Sequence, residues 1–329
     1  MNRAAWILAG LFVVLVVVLI FMLGDGGGGD TTTSSSSAVS STSETTSTAP
    51  TTSTTVAETT TTSLEETTTT VAVTTTTLLA GNWAGKPVVM AGFGALGWWD
   101  GSSWVQVQQD TTLPLVGGES YQVAVLGLEA TTTGGSPETV CEPLDNPGVS
   151  LANDQLLGEW PGPYGVAISA PWDITPHLVQ EASDDGTYAA FAAQLLSERG
   201  LSVSNPVIKQ LIRADLDGDG VNEVIVVAED VTPGLLAEPG DYSIAFMRKA
   251  VEGEVQTAVL GDSVVVEVAE GETPFVTAFS VGAVSDLNGD GKMEVVVSSA
   301  YYEGLGVEVW EYVNDDLGPV MQISQGCGV

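Results

Sequence analysis

Residues Arg213–Val227 read RADLDGDGVNEVIVV. Four carboxylates, Asp215, Asp217, Asp219 and Glu223, fall within nine residues and lead straight into an apolar run. Carboxylates this close repel one another, and an Asp-Gly alternation favours neither helix nor strand. The arrangement returns at Val284–Ser299, VSDLNGDGKMEVVVSS, with Asp286, Asn288, Asp290 and Glu294 at the same spacing. A bound divalent cation would compensate for the repulsion. Oxygens at positions 1, 3, 5 and 9 of a tight loop, with the Val221 or Lys292 carbonyl at position 7, give a hard cation six or more ligands. Gly218, Gly220, Gly289 and Gly291 permit the wrapping. An all-oxygen set on a flexible loop favours Ca²⁺ over zinc, copper or the stricter Mg²⁺. An EF-hand is excluded, because its position-12 glutamate is replaced here by Val226 and Val297, inside β-branched runs that read as strands. The expectation is strand, acidic loop, strand.

The elements around the loops correspond in order. NPVIKQLIRA, the first loop, EVIVVAE, YSIAFMRKA and VQTAVL match FVTAFSVGAVS, the second loop, EVVVSSAYY, GVEVWEYV and VMQIS. An internal repeat built from strands at this period suits blade-like antiparallel sheets. DLDGDGVNEVIVV and DLNGDGKMEVVVSS resemble the calcium loops of FG-GAP or VCBS repeats, the blades of integrin-alpha-like β-propellers. The resemblance covers roughly residues 201–329. It implies a partial or divergent propeller with calcium in a hairpin loop of each blade, in cell-surface proteins that bind partners. By position it assigns side-chain ligands to Asp215, Asp217, Asp219, Glu223, Asp286, Asn288, Asp290 and Glu294.

Residues 81–200 also read as β-rich. KPVVMAGFGALGWWDGSSWVQVQQ gives strands with a hairpin over Asp100–Ser103, and YQVAVLGLEA gives one further strand. Residues 131–172, rich in Pro and Gly, suggest loops or short edge strands. In TYAAFAAQLLSERG, Tyr188, Phe191, Leu195 and Leu196 share a face, so an amphipathic helix is expected over 187–199, packed on a sheet. Thr187 or Asp185 would cap it and Gly200 would stop it. The fold class is mainly β with one helix; α+β is the alternative.

Ahead of this region, Ala4–Leu23 carries no charge and is long enough for a transmembrane helix. Arg3 precedes it and the next cation is Lys86, which predicts a single-pass plasma-membrane anchor over residues 1–23. The N-terminus would be cytoplasmic and the C-terminal domain extracytoplasmic. A cleaved signal peptide is the alternative, although no small-x-small pattern follows Leu23. Residues 24–80 form a Ser/Thr-rich stretch, with 33 Ser or Thr among the fifty residues from Thr31 to Ala80 and no aromatic. Such a segment buries too little apolar surface to offset its ordering entropy and reads as a disordered stalk.

Residues 81–329 carry seven basic and thirty-six acidic side chains. A surface so acidic rejects nucleic acid and anionic lipid, which require cationic neutralisation. The two cysteines, Cys141 and Cys327, are expected to form a disulfide. One histidine and two cysteines do not make a zinc set. No P-loop, GxSxG or HExxH motif is present. His177 has no identifiable catalytic partner; Trp98, Trp99 and Trp104 read as hairpin packing, with a platform for stacking sugars as the alternative. The functional expectation is a non-enzymatic calcium-binding protein presenting a β-rich domain to a cell-surface protein or glycan. The alternative is a polysaccharide hydrolase with structural calcium, which would need two carboxylates facing one cleft.

Overall fold

A computed structural model describes residues 86–141, 145–159, 161–183, 186–313 and 316–325. Within them the chain is mainly β, with antiparallel sheets and one α-helix. Each acidic stretch joins the first two strands of a four-stranded meander. In the first, β10 (Ile208–Ala214), β11 (Glu223–Asp230), β12 (Tyr242–Val251) and β13 (Glu254–Val264) lie side by side in chain order, with β9 (Val179–Glu181) added beside β10. In the second, β14 (Ala278–Ser285), β15 (Glu294–Tyr301), β16 (Gly304–Val313) and β17 (Asp316–Gln325) do the same. The positions of Val226 and Val297 inside β11 and β15 confirm that each acidic loop joins two strands.

The remaining large sheet is six-stranded. It contains β1 (Val88–Ala91), β2 (Gly94–Trp99), β3 (Trp104–Gln106), β4 (Ser120–Val125), β5 (Leu128–Thr133) and β8 (Val166–Ile168), in the order β3-β2-β1-β8-β4-β5. A small ribbon pairs β6 (Glu138–Val140) with β7 (Asn146–Gly148). The expected hairpin at Asp100 forms. Asp100 Oδ1 accepts the amides of Ser102 and Ser103 at 2.8 and 2.9 Å, and the Asp100 amide donates to the Ser103 carbonyl. Two readings are corrected. YQVAVLGLEA is a hairpin rather than one strand, because the chain reverses at Leu126–Gly127 and Val125 pairs with Leu128. Residues 166–168 form a central strand, not an edge, pairing with both β1 and β4. Three residues are too few to show a period, but all three are fully buried.

Core composition sets the order of layers. Ile212, Ile225, Val227 and Met247 of the first-repeat sheet pack against Val281, Val295, Val297 and Tyr312 of the second. The opposite face of the second-repeat sheet, through Ala283, Val296, Val307 and Val309, packs on Val89, Leu96, Val166 and Ile168 of the six-stranded sheet. The second-repeat sheet is therefore covered on both sides, which explains why its strands read as continuous apolar runs rather than alternating ones. The register of β14 slips between Val281 and Ala283. Gln210 bridges the sheets there, its side-chain amide donating to the Val281 carbonyl at 3.0 Å and accepting the Val281 amide at 2.8 Å. Gly282 lies in this slip because a Cβ would stand 2.1 Å from the Tyr164 carbonyl oxygen.

The helix, α1 (Thr187–Glu198), covers the far side of the first-repeat sheet. Its Ala192, Leu195 and Leu196 are buried on Val224, Val226, Ile244 and Phe246. Gly186, with φ 97°, stands at the N-cap position without a side-chain cap, so Thr187 begins the helix instead of capping it. Asp185 lies outside the described residues. Gly200, at φ 88°, follows the end of the helix as expected.

Membrane placement is corrected. Among the described residues no helix is long and apolar enough to cross a membrane. The twelve residues of α1 rise roughly 18 Å, against about 30 Å of hydrocarbon. The segments expected to be an anchor and a stalk, 1–23 and 24–80, lie outside the described residues, so the single-pass placement has no support in the fold.

Candidate metal centre

Both acidic loops lie between the first two strands of their meanders, and alternation sorts their side chains. Leu216, between Asp215 and Asp217, and Leu287, between Asp286 and Asn288, are 0% and 1% exposed and anchor the loops into opposite faces of the layered core. The residues on either side carry the oxygens. Gly218, Gly220, Gly289 and Gly291 have φ of 76°, 87°, 81° and 85°, a region costly for any residue with a Cβ.

In the first loop, carboxylate oxygens of Asp215, Asp217 and Glu223 lie within 4.8 Å of one another. Glu223, fully buried, accepts the Leu216 amide through Oε2 at 2.8 Å. Its Oε1 and Asp215 Oδ1 are buried without a hydrogen bond. Asp215 Oδ2 accepts the Gly220 amide at 2.9 Å, and Asp219 Oδ1 accepts the Val221 amide at 2.7 Å. Asp219 is the more exposed carboxylate, and Val221 lies at the exposed tip. Burial raises the pKa of Glu223, offset in part by the Leu216 amide and the Lys249 ammonium. For Asp217 burial acts in the same sense, but the Lys249 hydrogen bond and charge outweigh it and hold the carboxyl below its ordinary value.

The second loop repeats the scaffold. Glu294 Oε2 accepts the Leu287 amide at 2.6 Å, and Asp286 accepts the amides of Gly289 and Gly291 at 2.6 and 3.0 Å. Asn288 Oδ1 accepts the Asp290 amide at 2.9 Å, and Asp290 Oδ1 accepts the Lys292 amide at 2.8 Å. The Asn288 amide donates to Glu294 Oε1 and Glu311 Oε1, both at 3.2 Å. Its carboxylates do not gather as closely as in the first loop, which holds the only such trio among the described residues. Burial raises Glu294 well above the ordinary carboxylate range, and the neighbouring charges of Asp286, Asp290 and Glu311 add to the rise. Asp286 is raised chiefly by burial.

The two loops adjoin. The Met293 amide donates to the Leu216 carbonyl at 2.8 Å. His177, on a segment passing over both loops, makes a 3.0 Å hydrogen bond between Nε2 and the Gly291 carbonyl and stands beside Gly218. Trp172 Nε1 donates to the Asp286 carbonyl at 2.9 Å, and its ring covers Gly289.

Sequence reasoning missed Lys249 and Glu311. Lys249, on β12, places Nζ 2.6, 3.5 and 3.7 Å from Asp217, Glu223 and Asp219. It also lies 4.4 Å from the centre of the Tyr312 ring. The two residues are equivalent. Val224 pairs with Arg248, and its counterpart Val295 pairs with Trp310, so Lys249 and Glu311 each follow by one residue. A charged residue inside an apolar strand was the available signal. Eleven residues join β11 to β12 and two join β15 to β16, so a constant spacing hides the correspondence.

Cys141 is disulfide-bonded; the chain's other cysteine, Cys327, lies outside the described residues. Trp99 and Trp104 meet edge to face across the β2–β3 hairpin, 5.5 Å apart. Two surface depressions, one bordered by Gln106, Gln108, Asn146 and Gln322 and the other by Ser183, Pro206 and Lys209, contain neither Asp nor Glu in their linings. No protein-family model, curated protein or solved structure matches the chain.

Proposed function

We propose that this chain is a calcium-binding β-sheet protein whose two acidic loops, on a pair of FG-GAP/VCBS-like blades, hold calcium and stiffen a domain that binds a protein or glycan. The observation that carries this reading is the pair of buried, unbonded oxygens, Glu223 Oε1 and Asp215 Oδ1, in a carboxylate trio only 4.8 Å across. Buried oxygens without a hydrogen bond are costly, and a hard cation would satisfy them. The donors are all oxygens, as calcium requires. Asp215, Asp217, Asp219 and Glu223 would hold the ion in the first loop; Asp286, Asn288, Asp290 and Glu294 would hold it in the second. The Val221 and Lys292 carbonyls complete the two sets. Bound calcium would neutralise the carboxylates and fix the turn between strands. A disulfide at Cys141 suits an oxidising compartment.

The test is titration of calcium into chelator-treated protein. A heat of binding together with a higher melting temperature is expected; the absence of both overturns the reading. Glycan-array and pull-down screens on the calcium-loaded protein test the binding role, which fails if no specific partner emerges.

A further inference from the structure

The two loops share a backbone scaffold but differ in the one side chain that the third strand directs at them. At the first loop that side chain is a lysine, 4% exposed, in ion-pair contact with three carboxylates. At the second it is Glu311, which accepts a hydrogen bond from Asn288. We propose that Lys249 is a built-in competitor for the first loop's cation: its ammonium and the metal contend for the oxygens of Asp217, Asp219 and Glu223. The second loop, with Glu311 in place of the lysine, is the tighter site. This inference rests on the calcium reading and orders its two sites.

The geometry supports competition in three ways. The Nζ distances of 2.6–3.7 Å put the ammonium in ion-pair contact with three of the carboxylates proposed to hold the cation. Lys249 has an anchor of its own at the Tyr312 ring, a cation–π contact strengthened by desolvation. Glu223 Oε1 is fully buried and 3.5 Å from the ammonium without a hydrogen bond, so one charge does not satisfy every oxygen present. A divalent ion would satisfy more of them, but it must first displace the lysine or bind beside a like charge, and either weakens its hold. The second loop has three carboxylates, Asp286, Asp290 and Glu294, and Glu311 on β16 adds a fourth beside Asn288. The one lysine of that loop, Lys292, is exposed, and its charge acts on Asp217 of the other loop.

The experiment is calorimetric calcium titration of the parent protein, Lys249→Gln, Lys249→Arg and Glu311→Lys. Parallel titrations in an Asp290→Ala background identify the first loop. The parent should bind in two steps, the first loop weaker by about tenfold or more, as befits a unit charge at ion-pair distance. Lys249→Gln should tighten the first loop by a similar factor, and Lys249→Arg should leave it weak. Glu311→Lys should weaken the second loop. If calcium binds but Lys249→Gln leaves first-loop affinity unchanged, the inference fails and the calcium reading survives. If neither the parent nor Lys249→Gln binds calcium, both fail. Should Lys249→Gln not fold without metal, Glu311→Lys decides alone: unchanged second-loop affinity overturns the competition.

Discussion

Met293 donates its backbone amide to the Leu216 carbonyl at 2.8 Å, so the exit of one acidic loop is tied to the entry of the other. Calcium in either loop should therefore restrain both. Hydrogen exchange should show the Met293 amide losing protection on chelation together with amides at the bases of both loops. If one loop loosens while the other keeps full protection, the loops are independent.

Asp217→Ala removes a proposed calcium ligand and also the closest partner of Lys249. First-loop calcium affinity should fall, and the metal-free protein should lose stability because a buried ammonium keeps fewer counter-charges. Lys292→Ala should change stability by less than about 0.5 kcal/mol, since its side chain is exposed and only its carbonyl is assigned to the metal. Equal calcium affinity in Asp217→Ala and the parent would contradict the assignment.

Leu216→Ala and Leu287→Ala should each cost about 2–5 kcal/mol, the range for truncating a fully buried leucine. Neither supplies a metal oxygen, so saturating calcium should recover only part of the loss. Denaturant unfolding with and without calcium measures both quantities. A cost below about 0.5 kcal/mol, the usual range for surface sites, would mean that these side chains do not anchor the loops.

The chelated protein should depend on pH in a defined sense. Burial raises the carboxyls of Glu294, Asp286 and Glu223, so the folded state binds their protons more tightly than the unfolded chain. Stability should then fall as pH rises from about 4, near the unfolded carboxyl values, through the raised folded values. Asp217, held low by Lys249 against the effect of burial, acts oppositely and loses its contribution as pH falls toward its folded value. Five raised carboxyls, Glu223, Glu229, Asp286, Glu294 and Glu308, outnumber the two lowered, Asp100 and Asp217, so melting temperature in chelator should decline as pH rises above about 5. Glu294→Gln should flatten that decline; an unchanged slope would remove Glu294 as a source.

The repeat was legible because its signal is local. Asp-x-Asp-Gly-Asp-Gly in one copy and Asp-x-Asn-Gly-Asp-Gly in the other, each followed by β-branched residues, specify a turn and a strand within fifteen positions. The helix was legible through its apolar period, and it packs on a sheet as its pattern implied. Strand β8 was not, since three residues show no alternation and its neighbours β1 and β4 are distant in sequence. The Lys249–Glu311 exchange was hidden because unequal connections put the third strands out of step. The YQVAVLGLEA hairpin was missed because one glycine in an apolar run was read as continuation, not reversal.

The middle position of the second-repeat sheet has a practical consequence for expressing pieces of this chain. A fragment starting near Val179 would retain both meanders and the helix yet lose the six-stranded sheet. Ala283, Val296, Val307, Val309 and Met321, all buried against that sheet, would then meet water as one apolar patch, the kind that drives aggregation. The acidic loops are therefore not a transplantable cassette: shortening the protein into the six-stranded sheet should yield insoluble material well before the loops themselves are reached.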